Sequence, residues 1–421
     1  MKKTLIRLLA GIIMGTGSLA AGAATMNITA SFTPSVSNPS SNTFTNTTPQ
    51  SGYCSNWSSL CPSGTYSINT NLTLKSNGLP ILASETDGRD HIYFKLPARK
   101  AVTVTNSSDG SESTVYFSFT NISARMYNVS NPGSGWTGGS FDYPDSSSGC
   151  SRQAAALGGG NWYHWAWKIK NPTSPAGCYK KRKTDYTWVS TAYMNQISVG
   201  YKLETPNPLK LTAGVYTGSV DYTVGPGDDV DFGNKWDASD STLRVNFTLS
   251  VNHELKLSAT ADNQQVALQP CTSGKVCTAE DGAANWERWM INRITPEMTG
   301  RSNFSLSSSG AFTVYLKCEQ QSGSDCALRS DNTPSQTVPV QSLLTLPNSI
   351  VDSSTGSAVS KRRLAVGRDL KKNVFITNSF GENQAGSIDF LVSKADVDTM
   401  LKTRPDTYRG AITVIFDPKI Y

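Results

Sequence analysis

The feature that most constrains this chain is a two-residue alternation at its carboxy end. Between Tyr408 and Tyr421 apolar side chains and one glycine alternate with other residues, at Tyr408, Gly410, Ile412, Val414 and Phe416. Successive side chains of a β-strand point to opposite faces, so the pattern predicts a strand with one buried face. A similar pattern, Tyr-x-Gly-x-aliphatic-x-apolar, runs from Tyr216 to Val224. Two β-rich segments therefore end in the same way.

The length and the first residues predict an exported, two-domain protein. At 421 residues the chain exceeds what one hydrophobic core usually supports. Lys2, Lys3 and Arg7 precede an apolar run, which ends at the small residues Ala21-Gly22-Ala23, so we expect residues 1–23 to be a signal peptide. Its removal lowers the formal charge from +6 to +3, because the segment holds three cations and no acid. We therefore expect no nucleic-acid partner, and no later apolar run is long enough to span a membrane.

Eight cysteines lie in four neighbouring pairs: Cys54 with Cys61, Cys150 with Cys178, Cys271 with Cys277, and Cys318 with Cys326. An even number of cysteines in an exported chain predicts four disulfides. Zinc is the alternative, but no pair has the spacing of a zinc knuckle, and only His91, His164 and His253 could complete a site. We expect neighbouring cysteines to pair, and no metal or cofactor.

Composition and turn residues favour an all-β chain. Charged residues make up only 17% of it, and Ser, Thr, Asn and Gly are abundant. Short runs of Val, Ile, Tyr, Phe and Thr between Gly, Asn, Asp and Pro clusters predict strands. In the first part these runs are Tyr66 to Leu74, His91 to Leu96, Ala101 to Val104, Thr114 to Ile122, Ile197 to Leu203, Gly214 to Val224 and Thr242 to Val251. They predict a β-sandwich over residues 24–252.

Residues 253–421 form the second predicted domain, again mainly β. Its expected strands are Phe312 to Cys318, Val338 to Leu346, Asn373 to Thr377, Ser387 to Val392 and the terminal run. Two helices are expected between them. The first is capped by Asp281 and buries Trp286, Trp289, Met290 and Ile294 on one face, and the second covers Ala395 to Leu401.

The alternating segment that follows the signal has two interpretations. Met26, Ile28, Ala30 and Phe32 alternate with polar residues, which predicts a short strand. Such a strand belongs either to the first domain or to an arm that is donated to another subunit. The sequence leaves both open.

An aromatic-rich insert is the candidate binding site. Residues 133–193 break the strand pattern, and we expect an irregular segment whose aromatic rings stack on sugars. The candidate receptor-binding residues are Trp136, Trp162, Tyr163, Trp165, Trp167, Lys181, Arg182 and Tyr186. Any single Trp could instead be a core residue, and the Lys180 to Lys183 cation run is either an anion site or a solvated face. The acidic turn Gly227 to Asp231 lacks the glutamate of a calcium loop.

Together, the export signal, the disulfide-bearing β-rich first part, the second β domain and the terminal motif resemble a two-domain tip adhesin of chaperone–usher fimbriae. The resemblance implies a lectin-like amino-terminal β-sandwich followed by an incomplete immunoglobulin-like pilin domain. In that family a periplasmic chaperone, and later the adjacent pilus subunit, supplies the missing strand by donor-strand complementation. An outer-membrane usher then places the subunit in a fimbrium at the cell surface.

The resemblance also assigns residues and a function. Tyr408, Gly410, Ile412, Val414 and Phe416 would form the donor-strand and chaperone groove, and the carboxylate of Tyr421 would anchor the chaperone. The first domain would bind a host-surface or abiotic-surface receptor, in particular a glycan.

We expect no enzyme activity, because the sequence has no Gly-x-Ser-x-Gly, His-Glu-x-x-His or phosphate-loop motif. Two alternatives stay open. One is a secreted glycoside hydrolase with paired carboxylates, which needs no local motif. The other is a non-adhesive structural pilus subunit, which would use Met26 to Phe32 as its donor strand.

Overall fold

The computed structural model describes residues 23–39, 41–63, 65–130, 134–369 and 371–418. The expected signal peptide, apart from its last residue, and the expected anchor at Tyr421 lie outside the described residues. β-Strands are the main regular structure of the described chain, which forms two β domains, and this confirms the predicted all-β fold class.

The described residues between 24 and 251 form fifteen strands and one short helix. The strands are β1 (Ala24–Phe32), β2 (Thr45–Asn46), β3 (Ile68–Asn69), β4 (Leu74–Ser76), β5 (Ile92–Phe94), β6 (Lys100–Asn106), β7 (Glu112–Tyr127), β8 (Cys150–Arg152), β9 (Leu157–Gly159), β10 (Trp162–Ile169), β11 (Cys178–Lys180), β12 (Tyr193–Glu204), β13 (Gly214–Thr223), β14 (Trp236–Ala238) and β15 (Thr242–Val251). The helix is α1 (Tyr53–Asn56), and short 3-10 turns cover Ser58–Leu60, Gly88–Asp90 and Pro208–Lys210.

The rest of the described chain holds thirteen strands and three helices. The strands are β16 (Leu255–Ser258), β17 (Gln269–Cys271), β18 (Glu297–Ser308), β19 (Phe312–Cys318), β20 (Gln321–Ser322), β21 (Asp325–Ser330), β22 (Thr337–Thr345), β23 (Ile350–Asp352), β24 (Arg362–Arg363), β25 (Val374–Thr377), β26 (Gly381–Val392), β27 (Tyr408–Arg409) and β28 (Ile412–Asp417). The helices are α2 (Ala261–Gln264), α3 (Ala279–Asn292) and α4 (Lys394–Leu401).

The long strand β7 divides the main sheet of the first domain into two branches. One edge of β7 bonds to β12. On its other edge, the first half of β7 pairs with β6 and the second half pairs with β10. The β6 branch continues through β13 and β15 to β1. Both branches contribute to one hydrophobic core, in which Phe117, Val245 and Trp165 are buried.

Strand β1 belongs to the first domain. It runs parallel to β15 through nine paired positions, from Ala24 opposite Leu243 to Phe32 opposite Val251. Met26, Ile28 and Phe32 are each at most 2% exposed. The alternating arm is therefore already used inside its own chain, which decides between the two interpretations that the sequence left open.

The second domain consists of two facing sheets. One has the order β16-β18-β26-β22-β21-β20, with β17, β24 and β27 attached at its sides, and the other has the order β23-β25-β19-β28. Between them lies a separate core that includes Leu306, Val314 and Phe375. In the described residues, no strand before Val251 pairs with a strand after Leu255.

All eight cysteines form disulfides between sequence neighbours, as predicted. Two other expectations were only partly right. The insert is not irregular throughout, because it contains β8 to β11 and hydrogen-bonds to β7 and β5. The cap of α3 is Thr278, whose hydroxyl accepts from the Asp281 amide, and the helix is only partly core, since Trp286 packs against the second core while Met290 and the following Ile294 are exposed.

The place of β1 in the first core predicts a stability effect. Replacement Ile28→Ala should lower the free energy of unfolding by about 2 to 4 kcal/mol, because it removes a buried side chain opposite Phe247 and leaves a cavity. Urea unfolding of the full chain measures this change. The control is Thr25→Ala, at an exposed position of the same strand. It should change the free energy of unfolding by less than about 0.5 kcal/mol. Equal stability of the two variants would show that β1 is not part of the core.

Candidate functional site

Strand β10 presents its aromatic residues to two different faces. Trp165 and Trp167 point into the first core, where both are 0% exposed, and the ring centroid of Trp165 lies 4.6 Å from that of Phe141. Tyr163 is half-buried on the same face, while Trp162 lies on the opposite face and is also half-buried. The expectation that Trp165 and Trp167 contact a receptor is therefore wrong, because their alternation serves core packing.

Arg182 and Trp136 hold the insert together from within. The Arg182 guanidinium lies between two rings, 4.7 Å from the centroid of Trp136 and 4.8 Å from that of Tyr186. Its Nη1 donates to the Ser134 carbonyl at 2.9 Å, and burial lowers the pKa of Arg182 below its usual range. Trp136 and Arg182 are buried, so neither can be a direct receptor contact as the sequence predicted. Tyr186 stays half-exposed.

The cation run is not an anion-binding patch, because alternate members point inward. Lys180 is buried, and its Nζ donates to the Tyr143 carbonyl at 2.6 Å. Burial lowers the pKa of the Lys180 ammonium, while Asp145 and Asp142 oppose this shift. Lys181 is half-buried and donates to the Thr86 carbonyl. Only Lys183 is fully exposed among the four.

Three aromatic side chains form an accessible row at one end of the sheet, and we call them the aromatic row. Backbone pairing places Trp162, Tyr127 and Tyr193 side by side on β10, β7 and β12. The Tyr127 and Tyr193 rings are stacked, with centroids 5.4 Å apart and planes 20° apart. The Arg125 guanidinium lies 4.7 Å from the Trp162 ring. The sequence prediction included Trp162 but missed both tyrosines.

A depression of about 390 Å³ adjoins the aromatic row, and we call it the tip depression. It is lined by Asn128, Val129, Ser130, Gly160, Asn161, Tyr186, Val189 and Ser190. Asn128 directly follows Tyr127 in the chain, and Asn161 directly precedes Trp162. The sequence did not predict these polar residues as part of a site, because Asn and Ser are common in loops of any function.

A row of polar side chains lies two residues further along the same three strands, on the same face of the sheet. His164, Arg125 and Asn195 stand side by side, and each has a buried polar atom without a hydrogen-bond partner. The Trp57 indole N–H donates to His164 Nδ1 at 3.1 Å, so the proton of the neutral imidazole lies on Nε2. Burial, assisted by the Arg125 charge, lowers the pKa of His164 to about 3.

The second domain has an incomplete sheet at β28. This strand pairs with β19 from Thr313 opposite Asp417 to Cys318 opposite Ile412. On its other side the described chain provides no strand. Ile412, Val414 and Phe416 contact the second core, but all three remain only partly buried. The end of β28 at Asp417 falls just before Pro418, as expected for a residue without a backbone donor.

The matching strand of the first domain shows what β28 lacks. β13 lies between β6 and β15, and there Tyr216, Val220 and Tyr222 are 1%, 8% and 1% exposed. The two strands agree in other details. A Cβ on Gly218 would clash with the Thr103 carbonyl oxygen, and a Cβ on Gly410 would lie 2.8 Å from that of Ala327. The glycine therefore allows the same close backbone approach in both motifs.

The tyrosines of the two motifs also share a role. The Tyr216 hydroxyl accepts from the Thr212 amide at 3.0 Å, and the Tyr408 hydroxyl hydrogen-bonds the Thr403 hydroxyl at 2.8 Å. A tyrosine that bonds a few residues upstream marks the start of the penultimate strand in immunoglobulin-like sandwiches. In the first domain β15 follows as the last strand. The described second domain has no counterpart to it.

An apolar groove of about 580 Å³ opens beside β27 and the start of β28, and we call it the open groove. Most of its lining residues are apolar: Val266, Ala267, Leu268, Trp286, Met298, Leu328, Val340, Phe390, Val397, Met400, Leu401, Tyr408, Gly410, Ala411 and Ile412. The remaining lining residues are Gln264, Arg404, Asp406, Thr407 and Arg409. Of the expected groove residues, Tyr408, Gly410 and Ile412 line it, while Val414 and Phe416 continue along β28. The sequence missed the opposite wall, which includes Leu268 and Trp286.

The described residues hold little that suggests other chemistry. No three His, Cys, Asp or Glu side chains among them come close enough to hold a metal ion. A general acid needs a raised carboxyl pKa, but hydrogen bonds and Arg partners lower those of Asp109, Glu204 and Asp221. No helix in the described part of the chain is long and apolar enough to cross a bilayer.

No protein-family model and no curated protein matches the chain. Several solved structures resemble it across nearly its whole length, and three of them follow. A chaperone–tip adhesin complex of CFA/I fimbriae covers 94% of this chain and 97% of its own, with 10% identity and a TM-score of 0.25. A point mutant of CfaE, the CFA/I adhesin of enterotoxigenic Escherichia coli, covers 94% and 93%, with 9% identity and a TM-score of 0.22.

The third is the CsuC–CsuE chaperone–tip adhesion subunit complex from the archaic Csu pili of Acinetobacter baumannii. It covers 94% of this chain and 98% of its own, with 10% identity and a TM-score of 0.21. Matches with identities and TM-scores this low do not assign a family or a function. The functional assignment therefore depends on the chain's own geometry.

The buried imidazole predicts a pH dependence of stability. His164 is neutral in the folded chain down to a pKa of about 3, whereas an unfolded histidine binds a proton below about pH 6.5. The unfolded state thus holds more protons between these values, and stability falls as the pH falls. Between pH 6 and 4, the wild-type chain should therefore lose about 2 kcal/mol more folding stability than His164→Gln, which has no imidazole at this position.

Urea unfolding of wild type and His164→Gln at a series of pH values measures the difference. Other groups titrate in both proteins, so the comparison isolates His164. Equal acid dependence of the two proteins would mean that the imidazole becomes charged in the fold.

Proposed function

We propose that this chain is an adhesin subunit of the fimbrial tip, exported through the periplasm and assembled at the cell surface. Residues 24–252 bind a receptor on a host or abiotic surface, with glycans as the receptor class. Residues 253–421 accept an extended strand, first from a periplasmic chaperone and then, after passage through an outer-membrane usher, from an adjacent pilus subunit. The proposal includes no catalytic step.

The observation that carries this proposal is the contrast between β13 and β28. The two strands share a sequence motif, a glycine role and a tyrosine contact, yet only β13 has neighbours on both sides in the part of the chain that the structure describes. The open edge leaves backbone N–H and C=O groups free to pair, and the partly buried Ile412, Val414 and Phe416 offer apolar area to an added strand. Strand addition satisfies both kinds of group at once.

The alternating strand near the start of the chain is not available as the donated strand. The alternating segment that could act as a donor, β1, is paired along its whole length with β15 and buried in the first core. A subunit of this kind accepts a strand and gives none, which favours a tip position over the structural-subunit alternative. The carboxylates do not support the glycoside hydrolase alternative, because all the resolved carboxyl pKa shifts in the first domain are downward.

A grafted strand tests the proposal directly. We would join a copy of Thr242–Val251, the strand that lies beside β13, through a flexible linker after Tyr421. It should occupy the place beside β28, raise the urea midpoint of the second domain, and slow hydrogen exchange of β28 amides by at least about tenfold. The control is the same graft with its five buried apolar residues replaced by serine. Identical exchange in both grafts would refute an acceptor edge at β28.

A charge on the apolar face of β28 provides a second test. Phe416→Asp should prevent recovery of the chain from the periplasm together with a chaperone, because a carboxylate without a partner would lie against Phe304 and Phe312. Thr413→Asp is the matched control, since Thr413 is exposed on the opposite face of the same strand. Co-purification from periplasmic extracts measures the difference. Equal recovery of the two variants would contradict the proposed groove.

A further inference from the structure

We propose that the aromatic row and the tip depression together form the receptor site, and that its ligand is the uncharged end of a glycan. This inference depends on the proposed adhesin function and adds the place of the site and the class of the ligand. The site keeps Trp162 and Tyr186 from the aromatic residues that the sequence singled out, and it leaves out Trp136, Trp165 and Trp167, which are buried.

The aromatic row has the form of a sugar platform. Trp162, Tyr127 and Tyr193 come from three adjacent strands, so the sheet fixes their spacing. Tyr193 is 36% exposed, and the other two are partly exposed. The C–H faces of pyranose rings pack on aromatic faces, and rings held by a sheet lose little conformational entropy on binding.

The space that the Trp162 indole occupies depends on a glycine. Gly159 pairs with Trp162 across β9 and β10, and a Cβ there would lie 2.8 Å from the indole nitrogen. Gly160, which lines the tip depression, has open space around it. Gly159 and Gly160 therefore leave room for the platform and for access to it.

The tip depression has the polar groups that an uncharged sugar needs. Its lining includes the amides of Asn128 and Asn161 and the hydroxyls of Ser130, Ser190 and Tyr186, and no charged side chain among the described residues. Amides and hydroxyls both donate and accept, as sugar hydroxyls do. The nearby segments contain Arg125 and Arg182, but their guanidinium groups face the rings of Trp162, Trp136 and Tyr186.

Two hydrogen bonds hold this lining in place. Asn128 Nδ2 donates to the Thr191 carbonyl at 2.6 Å, and the Val129 amide donates to the Asn161 carbonyl at 3.2 Å. They tie the ends of β7 and β10 to the segment before β12. A depression fixed in this way needs little ordering when a ligand binds.

Exposed aliphatic residues at this end support a different ligand, a hydrophobic surface. Val189 is 85% exposed and Leu79 is 54% exposed, and the Trp188 indole N–H donates to the Leu79 carbonyl. Val189 and Val129 are the aliphatic residues in the lining of the depression, whereas the other six lining residues are one glycine and five residues with amide or hydroxyl groups. We therefore favour the glycan, and the test includes the hydrophobic surface as an outcome.

The experiment uses the full mature chain on three probes. The first is an array of neutral oligosaccharides that end in glucose, galactose or N-acetylglucosamine, the second has the same oligosaccharides capped with sialic acid, and the third is polystyrene beads. The wild-type chain should bind at least one neutral oligosaccharide. Tyr193→Ala and Trp162→Ala should each weaken this binding by at least about tenfold, as loss of a central aromatic contact does.

Two further variants control the result. Tyr193→Phe keeps the ring and should keep binding within about twofold of wild type. Tyr116→Ala should have no effect on binding. Tyr116 is similarly exposed, at 39%, and an arginine lies over its ring, but it is at the other end of β7. Circular dichroism confirms that each variant is folded.

Four outcomes would overturn the inference: no glycan binding by wild type, binding to sialylated probes alone, binding to polystyrene alone, or unchanged binding by folded Tyr193→Ala and Trp162→Ala. The receptor-site inference does not depend on the open groove, because the corresponding strand of the first domain, β13, already has a neighbour on each side. If the strand graft fails while the array result holds, the fimbrial assignment is wrong and the glycan site stands. If the array fails while the graft succeeds, only this inference is lost.

Discussion

The open edge of β28 is the constraint on which the proposed function of the molecule depends. A strand with one hydrogen-bonded neighbour exposes a row of peptide groups, and proteins usually protect such edges with charges, bulges or covering segments. Here the edge adjoins an apolar groove, and the side chains that face the core stay partly exposed. Both the backbone and the side chains of β28 therefore favour a further strand.

In the first domain, strands of the same chain cover the edge that corresponds to the open edge of β28. Its copy of the motif is followed by β15 on one side, and β1 then covers β15 in turn. The short β2 adds two residues beyond β1 and forms the outer edge there. The chain thus contains a closed and an open version of one arrangement, and the closed version shows what kind of segment fits the open one.

Sequence alternation predicted most of this fold, because burial on one face leaves a direct signal at every second residue. β15 and β19 were predicted with their observed bounds, and the neighbouring disulfides followed from spacing. Alternation failed where both faces of a strand are covered. In β10, His164 and Ala166 are buried on one face under Tyr53 and Trp57, and Trp165 and Trp167 are buried on the other. An aromatic cluster of this kind looks like a binding loop in the sequence.

The candidate receptor site was beyond prediction for a related reason. Trp162, Tyr127 and Tyr193 are far apart in the chain, and they meet only because of the register of β7 with β10 and β12. The pairing of β7 with β12 also shifts at two irregular positions, which a periodic pattern does not reveal. Register depends on the whole core beneath the sheet, so composition alone could not place these rings together.

The link between the two domains determines which strand of the first domain would carry a pulling force. The link to the second domain starts at the end of β15, where the Asn252 amide donates to the Phe32 carbonyl and His253 bonds Leu211 of the first domain and Ser309 of the second. If the chain acts in a fimbrial tip as proposed, a pull on the second domain would be applied along β15. This strand pairs with β13 at all ten of its positions and with β1 at nine of them. The load would act along the strands, so many hydrogen bonds would resist it together. Strand β1, which cannot be donated to a neighbour, instead anchors the strand through which its own domain is held.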